Sequence, residues 1–135
     1  TCNRLLRPGG SMLVQAITMP ESRFDGYLKS VDFIQKYVFP GGCLPSVAAM
    51  QHAAGRAPSL RLVGLDDFGL DYARTLREWR SRFTEAEPAV RGLGFDDQFL
   101  RLWNYYLCYC EAAFLERGVG VSHLVWTKPE FGSDQ

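Results

Sequence analysis

The sequence has few of the features that would assign a function class directly. It lacks an apolar run that approaches the roughly 20 residues of a membrane-spanning helix, and its 15 basic side chains balance 15 acidic ones. This balance leaves no overall positive field to attract nucleic acid. A chain of 135 residues, 47% of them hydrophobic, can form one soluble domain or part of one. The composition therefore argues against an integral membrane protein and against a nucleic-acid-binding protein.

Metal-binding and disulfide patterns are missing as well. The four cysteines have no C-x2-C spacing of the kind that holds zinc, and His52 and His123 are far from them in sequence. We therefore predict no metal site and interpret both histidines as structural or surface residues. Cys108 and Cys110 lie two apart on a predicted helix, hence on different faces, so no disulfide is expected between them. Free thiols are typical of a reducing cytoplasm.

Three stretches have the length and composition of β-strands. Residues 11–19 form an uncharged, mostly apolar run with β-branched residues, which predicts a strand covered on both faces and central in its sheet. We expect further strands, encoded upstream, to pair beside it. Residues 59–65 alternate in polarity and residues 122–128 close the chain as a third strand.

Helical periodicity occupies most of the remaining chain. Apolar residues recur at steps of three and four across residues 24–38, which predicts one amphipathic helix there. Residues 44–54 predict a second, short helix, and residues 72–83 and 96–117 predict two more. The alternation of strands and helices favours the second half of an open α/β sheet over a helical bundle.

Four sequence segments carry a family resemblance. In order along the chain they are LLRPGGSMLVQAIT, YVFPGGCLPS, FGLDYARTLREWRSRF and YYLCYCEAAFLERG. Together they resemble the C-terminal portion of the cyclopropane-fatty-acyl-phospholipid synthases and their mycolic acid relatives, which are S-adenosylmethionine (SAM) dependent methyltransferases. The resemblance implies the C-terminal half of a doubly wound, Rossmann-like class I methyltransferase sheet with about three strands and helical insertions at the acceptor pocket.

The resemblance also implies that the SAM-binding features lie upstream. These are a glycine-rich strand-to-helix turn, an acidic residue for the ribose and a catalytic glutamate. The glycine pairs at 9–10 and 41–42 do not form G-x-G-x-x-G, so no residue is assigned to SAM binding. We therefore expect residues 1–135 to be a single partial domain, the acceptor-side half of an enzyme, which does not bind SAM measurably by itself.

The implied reaction transfers a methyl group from SAM to the double bond of an unsaturated phospholipid acyl chain and closes a cyclopropane ring. Because water would capture the carbocation intermediate, the site must be dry and must offer aromatic faces and a base. The resemblance implies that a bound bicarbonate is that base. A lipid substrate is compatible with a cytoplasmic protein that contacts the inner membrane face peripherally. A homo-oligomer is left open.

Three residues match positions that hold the reacting centre in the family. Tyr72 matches the tyrosine whose hydroxyl faces the bicarbonate and the reacting carbon, although it also fits a core position on its helix. Ile17 matches the position whose backbone helps to hold the anion. Gln15 falls where characterised members have histidine, and a glutamine amide can donate a hydrogen bond but cannot titrate. Either the base is held with less help, or the product is a methylene or methyl-branched chain without a ring.

The segment YVFPGGCLPS interrupts two predicted helices. Its proline and glycines break the helix and allow close backbone approach, and the resemblance places the segment beside the acceptor pocket. An apolar wall is predicted from Phe39, Gly41, Gly42, Cys43 and Leu44. The alternative is a plain turn. Cys43 is interpreted as a wall residue and not as a nucleophile.

Two alternatives remain open. The arginines at 74, 77 and 80 either contact lipid phosphates or are simply solvated on an amphipathic helix. The chain as a whole is either part of an enzyme or a non-catalytic fragment, such as a lipid-binding remnant. An exposed sheet edge in such a fragment predicts self-association.

Overall fold

Three β-strands form one antiparallel sheet in the computed structural model, which describes residues 1–57 and 59–130. They are β1 (Ser11–Thr18), β2 (Arg61–Asp67) and β3 (Gly120–Thr127), in the spatial order β1-β3-β2. β3 runs antiparallel to both neighbours. All three predicted strands are confirmed, with ends displaced by one or two residues. A bulge at Val63, between Leu62 and Gly64, interrupts the β2–β3 register.

The centre of this sheet is β3, because both of its edges are paired. Val121 and Leu124 have no exposed surface, and Trp126 is 3% exposed. In the described residues exposure alternates along β1 and Leu13 is 59% exposed, and the cover of β1 on both faces, with strands encoded upstream beside it, stays a prediction. β1 is an edge strand of the described sheet, where an alternating pattern is normal.

The sheet belongs to the first of two compact units, which comprises the described residues of 1–67 and 120–130. Its described helices are α1 (Cys2–Leu5), α2 (Glu21–Tyr27), α3 (Phe33–Tyr37) and α4 (Val47–Gly55). The Lys128 ammonium donates to the Asn3 and Leu6 carbonyls at 2.9 and 3.0 Å. Gly9 N–H donates to Lys128 O at 2.8 Å. The Pro-Gly-Gly turn therefore holds α1 against the end of β3.

The single helix predicted over residues 24–38 is wrong, because α2 ends at Tyr27 and α3 begins after Asp32. The Asp32 carboxylate accepts from Gln35 N–H at 2.8 Å, and Asp32 N–H donates to the Gln35 side chain at 2.9 Å. This capping box satisfies two amide donors and starts a new helix. Leu28 and Val31, apolar residues of the predicted stripe, are 54% and 73% exposed.

The second compact unit, Phe68–Val119, is helical. It contains α5 (Gly69–Glu85), α6 (Glu87–Gly92) and α7 (Asp97–Leu115). α5 packs on α7, and its buried face carries Leu76 and Ala73, both at most 2% exposed. The predicted helices over 72–83 and 96–117 are confirmed. α6, with proline in its first turn, was not predicted.

Candidate active site

Gln15 lies on β1 directly opposite His123 on β3. The two side chains are hydrogen-bonded, with 3.0 Å between Gln15 Oε1 and His123 Nε2. His123 was interpreted from the sequence as a structural or surface residue, and its exposed hydrogen bond to the candidate site residue Gln15 is compatible with that interpretation. Register across an antiparallel pair brings these residues together although they are 108 positions apart.

Ile17 lies two residues beyond Gln15, so its side chain shares a face of β1 with Gln15. Its register partner is Val121, which has no exposed surface. The side chain of Ile17 is partly buried, in keeping with a packing role. Its backbone role toward an anion stays a prediction from the resemblance.

A hydroxyl–carboxylate chain joins the ends of the three strands. Thr18 Oγ1 lies 3.4 Å from Ser122 Oγ, and the Ser122 hydroxyl donates to Asp67 Oδ2 at 3.2 Å. Thr18 and Ser122 are 5% and 2% exposed. A Cβ added at Gly120 would overlap Asp67 Oδ2 and lie 3.2 Å from Thr18 Oγ1. This cluster was not predicted from the sequence, and it joins the strand ends on the face of the sheet opposite to the side chain of Ile17.

The segment YVFPGGCLPS, predicted to form an apolar wall, is a turn. Hydrogen bonds to neighbouring elements hold its second half. Gly42 N–H donates to Phe39 O at 2.9 Å, and Gly41 has φ +80, a conformation that glycine adopts readily. Phe39 and Cys43 are exposed, and Leu44 is partly buried. Leu44 N–H donates to Tyr27 Oη at 3.0 Å.

Pro45 brings this turn to the end of β1. Its carbonyl accepts from Met19 N–H at 2.9 Å, one residue after the strand ends. Ser46, 1% exposed, then caps α4 by accepting from Ala49 N–H at 3.1 Å. The structure therefore places the second half of the segment beside the strand that carries Gln15 and Ile17. Its role as an acceptor-pocket wall stays a prediction.

Tyr72 belongs to the second unit, in the first turns of α5, and is surrounded by aromatic rings. Its ring centroid lies 5.0 Å from that of Phe114 and 6.1 Å from that of Trp79. Such offset and edge-on ring pairs stabilise one another and present π-faces. The sequence identified Tyr72 and its helix stripe, but the approach of Phe114 from α7 required the fold.

Tyr106 on α7 is a second phenol near Tyr72. Burial raises the pKa of Tyr106 to about 12, and Cys110 and Tyr72 add smaller effects in the same direction. Its ring lies 4.8 Å from that of Trp103. A neutral phenol and several aromatic faces therefore accompany Tyr72. This environment suits a positively charged, water-sensitive intermediate.

Two of the three α5 arginines considered for phosphate contact bind a carboxylate of the protein. Arg77 Nε and Arg80 Nη2 donate to the two oxygens of Glu111 at 2.7 and 3.2 Å. Burial by itself would raise the pKa of Glu111, but the two arginine hydrogen bonds outweigh it, so the pKa lies below its ordinary value. These arginines hold α5 to α7, whereas Arg74 is exposed.

Residues 1–57 and 59–130 contain neither a metal-binding cluster nor a membrane-spanning helix. Within these ranges, no three His, Cys, Asp or Glu side chains are grouped so that they could hold a metal ion. No helix in the same ranges is both long and apolar enough to cross a membrane. None of the four cysteines forms a disulfide bond within the described residues.

Comparison with known proteins identifies the family. The sequence model of the mycolic acid cyclopropane synthetase family matches residues 1–124, so the chain belongs to that family. It is 45% identical over 111 residues to tuberculostearic acid methyltransferase UfaA1 of Mycobacterium tuberculosis, covering 82% of this chain and 26% of the relative. It is 34% identical over 127 residues to cyclopropane-fatty-acyl-phospholipid synthase of Escherichia coli K12, covering 93% of this chain and 31% of the relative.

A solved structure shows the same partial match. Mycolic acid cyclopropane synthase CmaA1, complexed with SAH and CTAB, superposes with a TM-score of 0.78 at 26% identity, covering 93% of this chain and 46% of that chain. The α/β arrangement with its three-stranded antiparallel sheet thus matches part of a class I methyltransferase structure. The chain spans about a third or less of the two curated relatives.

Proposed function

We propose that this chain forms the acceptor-side part of an enzyme that methylates the double bond of an unsaturated phospholipid acyl chain and closes a cyclopropane ring. Family membership over residues 1–124 supports the reaction class. The observation that carries the site assignment is Tyr72, held in an aromatic cluster with Phe114 and Trp79 at 5.0 and 6.1 Å. Aromatic faces lower the energy of a carbocation without reacting with it.

SAM supplies the methyl group in this reaction, and bicarbonate is the proposed proton acceptor. The two glycine pairs do not fit a SAM cradle. Gly9 and Gly10 are engaged with Lys128 at the end of β3, and Gly42 closes a turn with Phe39. The proposal therefore places the residues that hold SAM outside this chain. Gln15 is better suited to a small anion than the glycine pairs are to SAM. Its hydrogen bond with His123 uses the amide oxygen, so the amide nitrogen is left to donate to an anion.

Each candidate residue has a separate proposed role. The Tyr72 hydroxyl orients the proton acceptor, and the rings packed on Tyr72 exclude water. Gln15 donates its amide N–H to the anion, and the backbone at Ile17 adds a second polar contact. Leu44, with the exposed Phe39 and Cys43, contacts the acyl chain. A phospholipid substrate implies that the enzyme works from the cytoplasm at a membrane surface.

The test is to incubate the purified intact enzyme with SAM and vesicles of an unsaturated phosphatidylethanolamine. Mass spectrometry should show acyl chains heavier by one CH₂ group, and proton NMR should show the upfield signals of a cyclopropane. Vesicles of the saturated phospholipid are the matched control and should remain unchanged. Unaltered unsaturated chains after full incubation would eliminate the proposed function.

Methylation without ring closure is the second candidate. It is favoured by Gln15, a non-titrating residue at a position where the family resemblance implies histidine, and by the 45% identity to a relative named as a methyltransferase. A hydride shift from the methyl-bearing carbon to the adjacent cationic carbon, followed by loss of a proton from the transferred methyl group, would give a methylene branch of the same mass as the ring. NMR separates the two products, because only the methylene has vinyl protons. Conversion to a methyl branch would need a reductant from another enzyme.

A non-catalytic remnant is the third interpretation. It predicts that the 135-residue chain associates with unsaturated phospholipid vesicles without any requirement for SAM. Under our proposal, calorimetry of the isolated chain should detect no SAM binding, whereas the intact enzyme should bind SAM. An intact protein that binds lipid and not SAM would favour the remnant.

A further inference from the structure

Gln15 and His123 form part of a polar row across the sheet. His123 on the central strand has Gln15 as its register partner on β1 and Asp66 as its register partner on β2. Directly opposed residues of antiparallel strands project from the same face. One face of the sheet thus carries an amide, an imidazole and a carboxylate side by side, flanked along β3 by Val121 and Val125.

The hydrogen bond to His123 determines which atom Gln15 presents to its surroundings. A proton on His123 Nε2 lets the ring donate to Gln15 Oε1, and the amide nitrogen, a donor, then points away. The other neutral tautomer carries its proton on Nδ1, so Nε2 can only accept and the amide must turn its nitrogen toward the ring. Gln15 would then present its oxygen, which repels an anion.

We propose that His123 is a positioning residue that fixes the Gln15 amide as a hydrogen-bond donor to a small oxyanion. The proposal rests on the proposed function, in which a bicarbonate-like base is held near Gln15. The geometry also shows how the chain retains an imidazole beside this position although residue 15 is glutamine. The ring is supplied from β3, 3.0 Å from the amide of β1.

Neighbouring groups favour the donating form of the ring. Asp66 is the charged residue that faces His123 from β2, and Gln15 is the polar residue that faces it from β1. The amide oxygen of Gln15 lies 3.0 Å from Nε2, which favours placing the ring proton on that nitrogen. Both the imidazolium and the Nε2–H tautomer donate to Gln15. The bond therefore survives when the ring loses one proton.

The first test is independent of catalysis. Nitrogen-15 NMR of the histidine rings is recorded on the intact protein, well above the pH at which imidazole ordinarily titrates. The His123 signals are assigned by their loss in His123→Phe, and His52→Phe, which alters an exposed residue of α4, is the control. We expect His123 to be the Nε2–H tautomer, and its Nε2 signal to shift in Gln15→Leu. An Nδ1–H tautomer, or a signal unmoved by Gln15→Leu, would overturn the proposal.

The second test uses turnover of unsaturated phospholipid by the intact enzyme. His123→Phe should lower kcat by up to about 100-fold with KM for the phospholipid unchanged, whereas His52→Phe should match the wild type. The exchange variant Gln15→His/His123→Gln keeps an amide–imidazole bond across the same pair and should recover most of the lost kcat. Wild-type kcat in His123→Phe, or an exchange variant as slow as His123→Phe, contradicts the proposal.

Failure of the proposed function has a different signature. It would appear as a wild-type enzyme that transfers no methyl group to any unsaturated phospholipid. The positioning role of His123 toward an anion at the reacting centre would then fall with it, whatever the NMR shows. An active wild type with the wrong His123 tautomer would reject the positioning role alone.

Discussion

Arg77 Nε on α5 donates to Glu111 Oε1 on α7 at 2.7 Å. Arg80 donates to the other carboxylate oxygen at 3.2 Å, so each oxygen of Glu111 has a cationic donor. The carboxylate is nearly buried, with 9% of its side chain exposed, whereas the Arg77 side chain is 58% exposed. The two ion pairs therefore neutralise the nearly buried Glu111 carboxylate where α7 contacts α5, the helix that carries Tyr72.

Glu111→Gln should destabilise the protein at neutral pH. The amide keeps the shape of the carboxylate but leaves two arginines with one weak acceptor. Because the arginines are partly exposed and screened by water, we expect a loss of about 1–2 kcal/mol in the free energy of unfolding. Urea unfolding of the intact protein measures it, with the exposed Glu116→Gln near the end of α7 as the control.

The stability that Glu111 contributes should depend on pH. The folded-state pKa of Glu111 lies below its ordinary value, so the folded state binds fewer protons than the unfolded state. The stabilisation is complete above the unfolded pKa of about 4.3 and disappears as the pH falls through the folded value. The difference between wild type and Glu111→Gln should therefore close on acidification. A constant difference across that range would contradict the assignment.

Gly120→Ala should destabilise the end of the sheet. The new methyl group would overlap Asp67 Oδ2, which must move away from Ser122. We expect a loss of about 1–3 kcal/mol, measured by urea unfolding. Gly55→Ala, at a helix position with open space around it, is the control and should be neutral or slightly stabilising. If the overlap is the cause, adding Gly120→Ala should cost less in an Asp67→Ala background than in wild type.

Much of the fold could be predicted because it is set by local patterns. Strand composition located β1, β2 and β3, and amphipathic stripes located α5 and α7. The break before α3 was missed because the apolar spacing continues through it, and the decisive feature is the side chain of Asp32. Composition alone does not decide whether β1 is a central or an edge strand, because an uncharged apolar run looks alike in both.

The site could be predicted only in part, for a related reason. Tyr72, Gln15 and Ile17 are candidates that the family resemblance of short, contiguous motifs implies, and their roles stay predictions. His123 reaches the candidate residue Gln15, and Ser122 reaches Thr18, only through the β1–β3 register, which pairs positions more than 100 residues apart. No periodicity within one segment carries that information.

Tyr27→Phe should loosen the turn that precedes α4. The Tyr27 hydroxyl oxygen accepts from Leu44 N–H at 3.0 Å, and its loss leaves a partly buried amide without that partner. We expect a loss of about 1 kcal/mol and faster hydrogen exchange at Leu44. Tyr37→Phe, whose ring is 58% exposed, provides the matched control. Unchanged exchange at Leu44 in Tyr27→Phe would show that the hydroxyl does not hold the turn.

Tyr72→Phe should separate a catalytic role from a packing role. Phenylalanine keeps the ring contacts with Phe114 and Trp79, so the free energy of unfolding should change by less than about 1 kcal/mol. Loss of the hydroxyl should lower kcat by about 100-fold if it orients the proton acceptor.

Turnover of unsaturated phospholipid by the intact enzyme measures the effect of Tyr72→Phe, with Tyr105→Phe, an exposed tyrosine of α7, as the matched control. A Tyr72→Phe enzyme that methylates normally but accumulates the methylene product would still place the hydroxyl at the proton-removal step, because only the fate of the cation has changed. Wild-type kcat together with an unchanged product would show that Tyr72 serves the α5–α7 core alone.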